Sequence, residues 1–160
     1  MKTALKIAAL VVLALVVVTG LVVTLRAGAV PVLEIRPAVP ALGARTPVVV
    51  TASSPGRGLT GLRLELVQGD LTHVVEERSY RPLPVWAFAG ERTEHDEIDG
   101  VVGHEGLTGL REGEAVLRAT ATRPGTWLLH PDATVLEVRL PVRLYPPELS
   151  VLSTHNYVTQ

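Results

Sequence analysis

The sequence predicts an all-β domain, built as a two-layer sandwich, behind a single N-terminal transmembrane helix. Three observations carry that expectation. The first 25 residues are almost wholly apolar, whereas the remainder reads as ordinary globular sequence. Beyond Pro31 the apolar residues recur with a period of two, which is the period of a strand. The chain also holds 12 Pro and 14 Gly and no convincing amphipathic helix, as expected of short strands joined by turns.

The N-terminal segment, residues 1–26, is the first element. Ile7 to Leu25 is a run of 19 residues without a charge. As a helix it is about 28 Å long, close to the roughly 30 Å hydrocarbon core of a bilayer. Lys2 and Lys6 precede the run, and only Arg26 follows it closely. That asymmetry predicts a cytoplasmic N-terminus and an ectodomain outside the cytoplasm. Ala27 and Ala29 flank Gly28 in an Ala-x-Ala pattern that also fits signal-peptide cleavage. The apolar run is longer than the roughly 7–15 residues usual for a signal peptide, which favours a retained single-pass anchor. Gly20 has Val16 and Thr24 four positions away, so no Gly-x-x-x-Gly pairing face is present.

Residues 27–31 read as a short linker. About 130 residues then remain, enough for one domain with its own core. There is no cysteine, so no disulfide framework supports an exported domain. Every positive charge after Lys6 is arginine, and from Val30 onward acidic residues outnumber arginines, leaving a net charge of −4. A mildly acidic domain lacks the basic face that nucleic-acid phosphates require.

Strands are expected in order along residues 32–147. Leu33 and Ile35 alternate with Glu34 and Arg36. Val48 to Thr51 is a β-branched run bounded by Pro47 and by Ser53-Ser54-Pro55-Gly56. Leu62, Leu64 and Leu66 share a face, and Gly69-Asp70 makes a two-residue hairpin turn into Leu71–Arg78. Ala115, Leu117, Ala119 and Ala121 share another face. Leu136, Val138, Leu140, Val142 and Leu144 point one way at strict period two, and Pro141 opposite them predicts an edge strand or a bulge. The segment from Leu110 to Thr122 resembles the penultimate strand of bacterial immunoglobulin-like and fibronectin-like domains, which implies an immunoglobulin-like sandwich.

The candidate sites are few. His73 and Glu77 are four residues apart, a spacing that suits metal ligands on a helix. In a strand they would share one sheet face about 13 Å apart, which is a solvent-facing surface rather than a metal site. Glu91, Glu94, Asp96, Glu97 and Asp99 put five carboxylates in nine residues. A calcium loop is one reading of that density, but the spacing is not that of an EF-hand. A solvated loop, or an edge strand protected by charge, is the other. Pro82-Leu83-Pro84-Val85-Trp86-Ala87-Phe88 reads either as a crossover whose Trp fills the core or as an exposed aromatic strip. No Cys, no Gly-x-Ser-x-Gly and no phosphate loop occur, so no catalytic residue is assigned.

Leu149-Ser150-Val151-Leu152-Ser153-Thr154, followed by Tyr157-Val158 and Gln160, resembles a segment in the membrane-anchored N-terminal region of bacterial lysostaphin/LytM-type peptidoglycan metallopeptidases. Thr120–Arg123, Leu140–Leu144 and Pro84–Phe88 are similar to the same proteins. His155-Asn156 departs from the Gln-His or Gln-Thr pattern expected there. The resemblance implies a cell-wall hydrolase whose zinc is held by His-x-x-x-Asp together with His-x-His. No His-x-His occurs in this sequence, so no metal ligand carries over.

What the resemblance implies is architecture: an inner-membrane anchor, β domains outside the cytoplasm, and a zinc peptidase domain beyond Gln160. Residues 148–160 would then begin a further β domain. The expected role is to tether and space, or restrain, the peptidase. A stand-alone anchored sandwich that binds a protein partner in an envelope assembly is the alternative. A small enzyme built on the acidic stretch is a third reading.

Overall fold

The computed structural model describes residues 2–25, 28–84, 87, 89–126 and 129–145. Helix α1 spans Lys2–Leu25. Within it, Thr3–Val22 is long and apolar enough to cross a membrane, and none of that stretch is buried against the rest of the chain. A helix apolar on every side is unstable in water. Both a membrane anchor and a signal sequence meet that condition. Lys2, Lys6, Ile7 and Leu25 all lie in α1, while Arg26 and Ala27 fall outside the described residues.

The rest is mostly strand. The elements are β1 Val32–Pro37, β2 Thr46–Ser53, β3 Gly61–Gln68, β4 Leu71–Ser79, β5 His95–Val102, β6 Gly113–Thr122 and β7 Thr134–Val142. They form two antiparallel sheets, one of order β1-β2-β5 and one of order β4-β3-β6-β7. Alternation decides which face is buried. In β2, Val48, Val50 and Ala52 are fully buried, and they pair in register with Gly100, Ile98 and Asp96 of β5. In the other sheet, Leu62, Leu64 and Leu66 lie opposite Ala121, Ala119 and Leu117. These rows belong to one hydrophobic cluster, which places the core between the sheets. The small Ala119 and Ala121 of β6 lie opposite the larger Leu64 and Leu62 of β3, and all four are buried.

The Gly69-Asp70 hairpin forms as expected, with Gln68 paired to Leu71. Gly69 has φ +57° and no non-glycine residue among those described has a positive φ. That is the pattern of a II′ turn with glycine at its first central position. The expected edge strand at Pro141 is β7 itself. Leu42 covers its outer rim in a parallel bridge to Val142. The Leu42 amide donates to the Pro141 carbonyl and the Arg143 amide donates to the Leu42 carbonyl, each at 2.8 Å.

The sequence-based placement of His73 and Glu77 on one face is corrected by a bulge. The register shifts between Leu64 and Glu65, so His73 pairs with Leu66 but Glu77 pairs with Arg63. Leu66 faces the core and Arg63 the outside, so the two candidates lie on opposite faces. The bulged Val75 is turned inward: a Cβ on Gly100 would sit 3.0 Å from its Cγ1.

The registers also give the domain two distinct ends. Gly61, Thr122, Ser79, Ser53 and His95 sit at one end, with Val32 opposite Ser53. Gln68, Gly113, Val142 and Val102 sit towards the other, where β7 finishes. The chain therefore enters at the first end and leaves, through Tyr145, at the second.

Candidate functional site

The entry end gathers most of the unusual chemistry. Asp96 is the second residue of β5, at the edge of the three-stranded sheet. Across the opening between the sheets stands β4, the edge of the four-stranded one. After the bulge, Glu76 and Arg78 pair with core-facing Leu64 and Leu62, so both reach toward this opening. Arg78 Nη1 donates to Asp96 Oδ2 at 3.2 Å and to the Glu97 carbonyl at 3.1 Å. Its Nε donates to Glu76 Oε1 at 3.4 Å. The Tyr80 hydroxyl donates to Asp96 Oδ2 as well. One carboxylate thus ties two sheet edges together.

The electrostatics follow from that geometry. Burial and the hydrogen bond to Asp96 push the Tyr80 hydroxyl well above the ordinary tyrosine value, against the smaller opposing effect of Arg78. Partial burial alone would raise the Asp96 carboxyl. The Tyr80 hydroxyl, the Glu97 amide and Arg78 outweigh it and hold the carboxyl below its usual value. A depressed carboxylate bound to a protonated phenol is a structural clamp. Neither group is poised to move a proton near neutral pH.

Beside the clamp, the β4–β5 connection shapes an open groove of ≈ 840 Å³. Its lining includes Tyr80, Arg81, Pro82, Leu83, Pro84 and Arg92. Of the expected Pro-rich strip, Val85, Trp86 and Phe88 fall outside the described residues, and the expected core position of Trp86 falls there with them. The acidic stretch divides: Glu91 and Glu94 precede β5, and Asp96, Glu97 and Asp99 lie within it. Glu97 and Asp99 alternate outward with buried Ile98 and Gly100. Charged residues on an edge strand discourage pairing with another chain.

Among the described residues, no group of three or more His, Asp or Glu converges in a way that could hold a metal. His95 and Asp99 have the His-x-x-x-Asp spacing, a match that is present in the sequence itself. Both face outward in β5 and lie about 13 Å apart along it, too far for one ion. The described residues therefore do not fit the zinc centre of the resembled family.

A second feature joins the linker to the domain. Arg123, just beyond β6, donates from Nη1 to the Gly28 carbonyl at 2.5 Å. Arg57 packs on Gly28 from the β2–β3 connection: a Cβ there would sit 2.9 Å from the Arg57 Cγ. Gly28 has φ +74°, a conformation that glycine adopts without strain. Arg57 also donates to the Gly125 carbonyl at 3.1 Å. Ala29, the described half of the Ala-x-Ala pattern, is exposed beside this clasp. The clasp is not legible in the sequence, because each partner is an ordinary residue brought in from a distant turn.

No protein-family model matches the chain, and no curated protein matches it. Solved structures with similar geometry include a β-glucosidase from Erythrobacter marinus, at 14% identity and TM-score 0.44, covering 71% of this chain and 15% of that one. A β-glucosidase from Listeria innocua in complex with glucose has 14% identity and TM-score 0.38, covering 72% and 16%. An engineered protein has 18% identity and TM-score 0.32, covering 75% and 21%. This chain therefore spans about a sixth of the length of either glucosidase. At these scores the likeness carries no functional information.

Proposed function

We propose that this chain is a membrane-anchored spacer. Helix α1 stays in the bilayer, and residues 32–145 form an immunoglobulin-like sandwich that holds a downstream domain away from the membrane. The observation that carries the reading is the polarity of the domain. Its chain enters at the end next to α1 and leaves at the opposite end, one strand length away. For β6 with its 10 residues, that length is about 30 Å. The strand orders β1-β2-β5 and β4-β3-β6-β7, with Leu42 crossing over to β7, support the immunoglobulin-like assignment.

Retention of the anchor is supported by the clasp. Cleavage after Ala29 would remove Gly28 and leave Arg123 without this acceptor. By the resemblance to lysostaphin/LytM-type peptidases, the domain held outward is a zinc peptidase beyond residue 160, acting on peptidoglycan outside the cytoplasm of a bacterium. Zinc belongs to that domain. Determining the reading frame downstream of codon 160 tests this. Paired His-x-x-x-Asp and His-x-His motifs are expected there, and a frame without them would remove the peptidase from the proposal.

The groove favours a second reading, in which the sandwich binds a protein partner in an envelope assembly. Crosslinking from Arg81 or Pro84 positions in intact cells would then trap one partner, whereas a pure spacer would trap none.

A further inference from the structure

We infer that the entry end of the sandwich is seated in the interfacial layer of the bilayer that holds α1, with the β4–β5 and β6–β7 connections touching lipid headgroups. The inference rests on the anchor reading above. It starts from a length. Gly28 is three residues past Leu25, so at most about 11 Å separates it from the end of the helix. The headgroup layer on each side of the hydrocarbon is roughly 5–8 Å deep. Gly28 is not a free point on a swinging tether, because Arg123 and Arg57 fix it to the end face. That face is consequently held at headgroup depth.

What the face presents suits that depth. Pro82 and Pro84 are exposed and Leu83 is half-buried in the β4–β5 connection. Leu129 is 42% exposed in the β6–β7 connection. Arg81 is exposed beside them, and an arginine can rest its stem on apolar surface while its head meets phosphate. Glu91, Glu94 and Asp132 share this end, so the face is not a cationic patch. Its affinity comes from interfacial apolar and arginine groups held in place, not from net charge.

The absence of native cysteine makes the test direct. Single-cysteine variants Ala89→Cys and His130→Cys report the entry end, and Asp70→Cys and Glu112→Cys report the far end. Each full-length chain is reconstituted in phosphatidylcholine vesicles, labelled with a fluorophore, and quenched by lipid carrying a headgroup nitroxide. Because the ends are about 26–30 Å apart, quenching at positions 89 and 130 should exceed that at 70 and 112 by about threefold or more. The double variant Arg81→Glu/Leu83→Glu should lower quenching at position 130 about twofold. Equal quenching at both ends, in a chain that resists alkaline carbonate extraction, would overturn the seating while leaving the anchor intact. Release of the chain by carbonate would overturn the anchor and the seating together.

Discussion

The Tyr80 hydroxyl donates a hydrogen bond to the Asp96 carboxylate across the open side of the core, joining the edge strand of one sheet to the end of the edge strand of the other. Tyr80 packs against the hydrophobic cluster just beyond β4, and Asp96 is a half-buried carboxylate at the start of β5. Their pairing closes the side where the core would otherwise meet water.

Removing the phenol hydroxyl tests the clamp. Tyr80→Phe keeps the ring and deletes the donor, so it should cost about 1–2 kcal/mol, the range for a partly exposed hydrogen bond to a charged group. For a domain of this size each kcal/mol lowers Tm by roughly 4–8 °C. Asp96→Ala should cost more, because it strands both Tyr80 and Arg78. Urea titration of the three chains gives the order directly.

The same pair sets a pH window. Asp96 has a lowered value when folded, so its contribution is present above the unfolded carboxylate range and is lost as pH falls through the folded value. Tyr80 has a raised value when folded. Its contribution is complete below the unfolded tyrosine value of about 10 and is lost as pH rises beyond it. Stability should therefore fall at both extremes, and Tyr80→Phe should flatten the alkaline limb. An alkaline limb unchanged in Tyr80→Phe would disprove the assignment.

Glycine substitutions separate packing from conformational strain. A Cβ on Gly103 would overlap the Ala44 carbonyl oxygen, while one on Gly106 meets nothing within 4 Å. Because the obstacle at Gly103 is backbone, Gly103→Ala should cost about 1–3 kcal/mol. Gly106→Ala, with neither a clash nor a positive φ, should change stability by less than about 0.5 kcal/mol. Thermal melts of the two variants check the contrast.

Much of the fold is legible in the sequence because it rests on local pattern. Leu62, Leu64 and Leu66 announce a strand, and Leu136 to Leu144 announce another whose edge position Pro141 betrays. The β-bulge at Val75 is not legible. It is set by how Leu64 meets Glu76 across the sheet, and a one-residue slip there moves Glu77 to the other face. The entry-end site is hidden for a related reason. Arg78, Tyr80 and Asp96 are separated by connections that say nothing about which edges face each other, and the Arg123–Gly28 contact links residues 95 positions apart.

The clasp gives a prediction of its own. Gly28→Ala introduces a Cβ 2.9 Å from the Arg57 Cγ at φ +74°, and Arg123→Ala removes the charged donor. Loss of roughly 1.5 kcal/mol at this contact would raise opening of the linker about tenfold. Limited proteolysis of the reconstituted chain should show cleavage between α1 and β1 accelerating by that factor in both variants, with the sandwich itself intact.

As the anchor of a spacer, α1 must remain attached to the mature chain. Intact-mass measurement of the protein extracted from membranes of its own cells tests it most directly. A retained anchor gives a mature chain that keeps residues 2–29, Lys2 and Lys6 included. A chain beginning at Val30, cut after the Ala27-Gly28-Ala29 pattern, would contradict it.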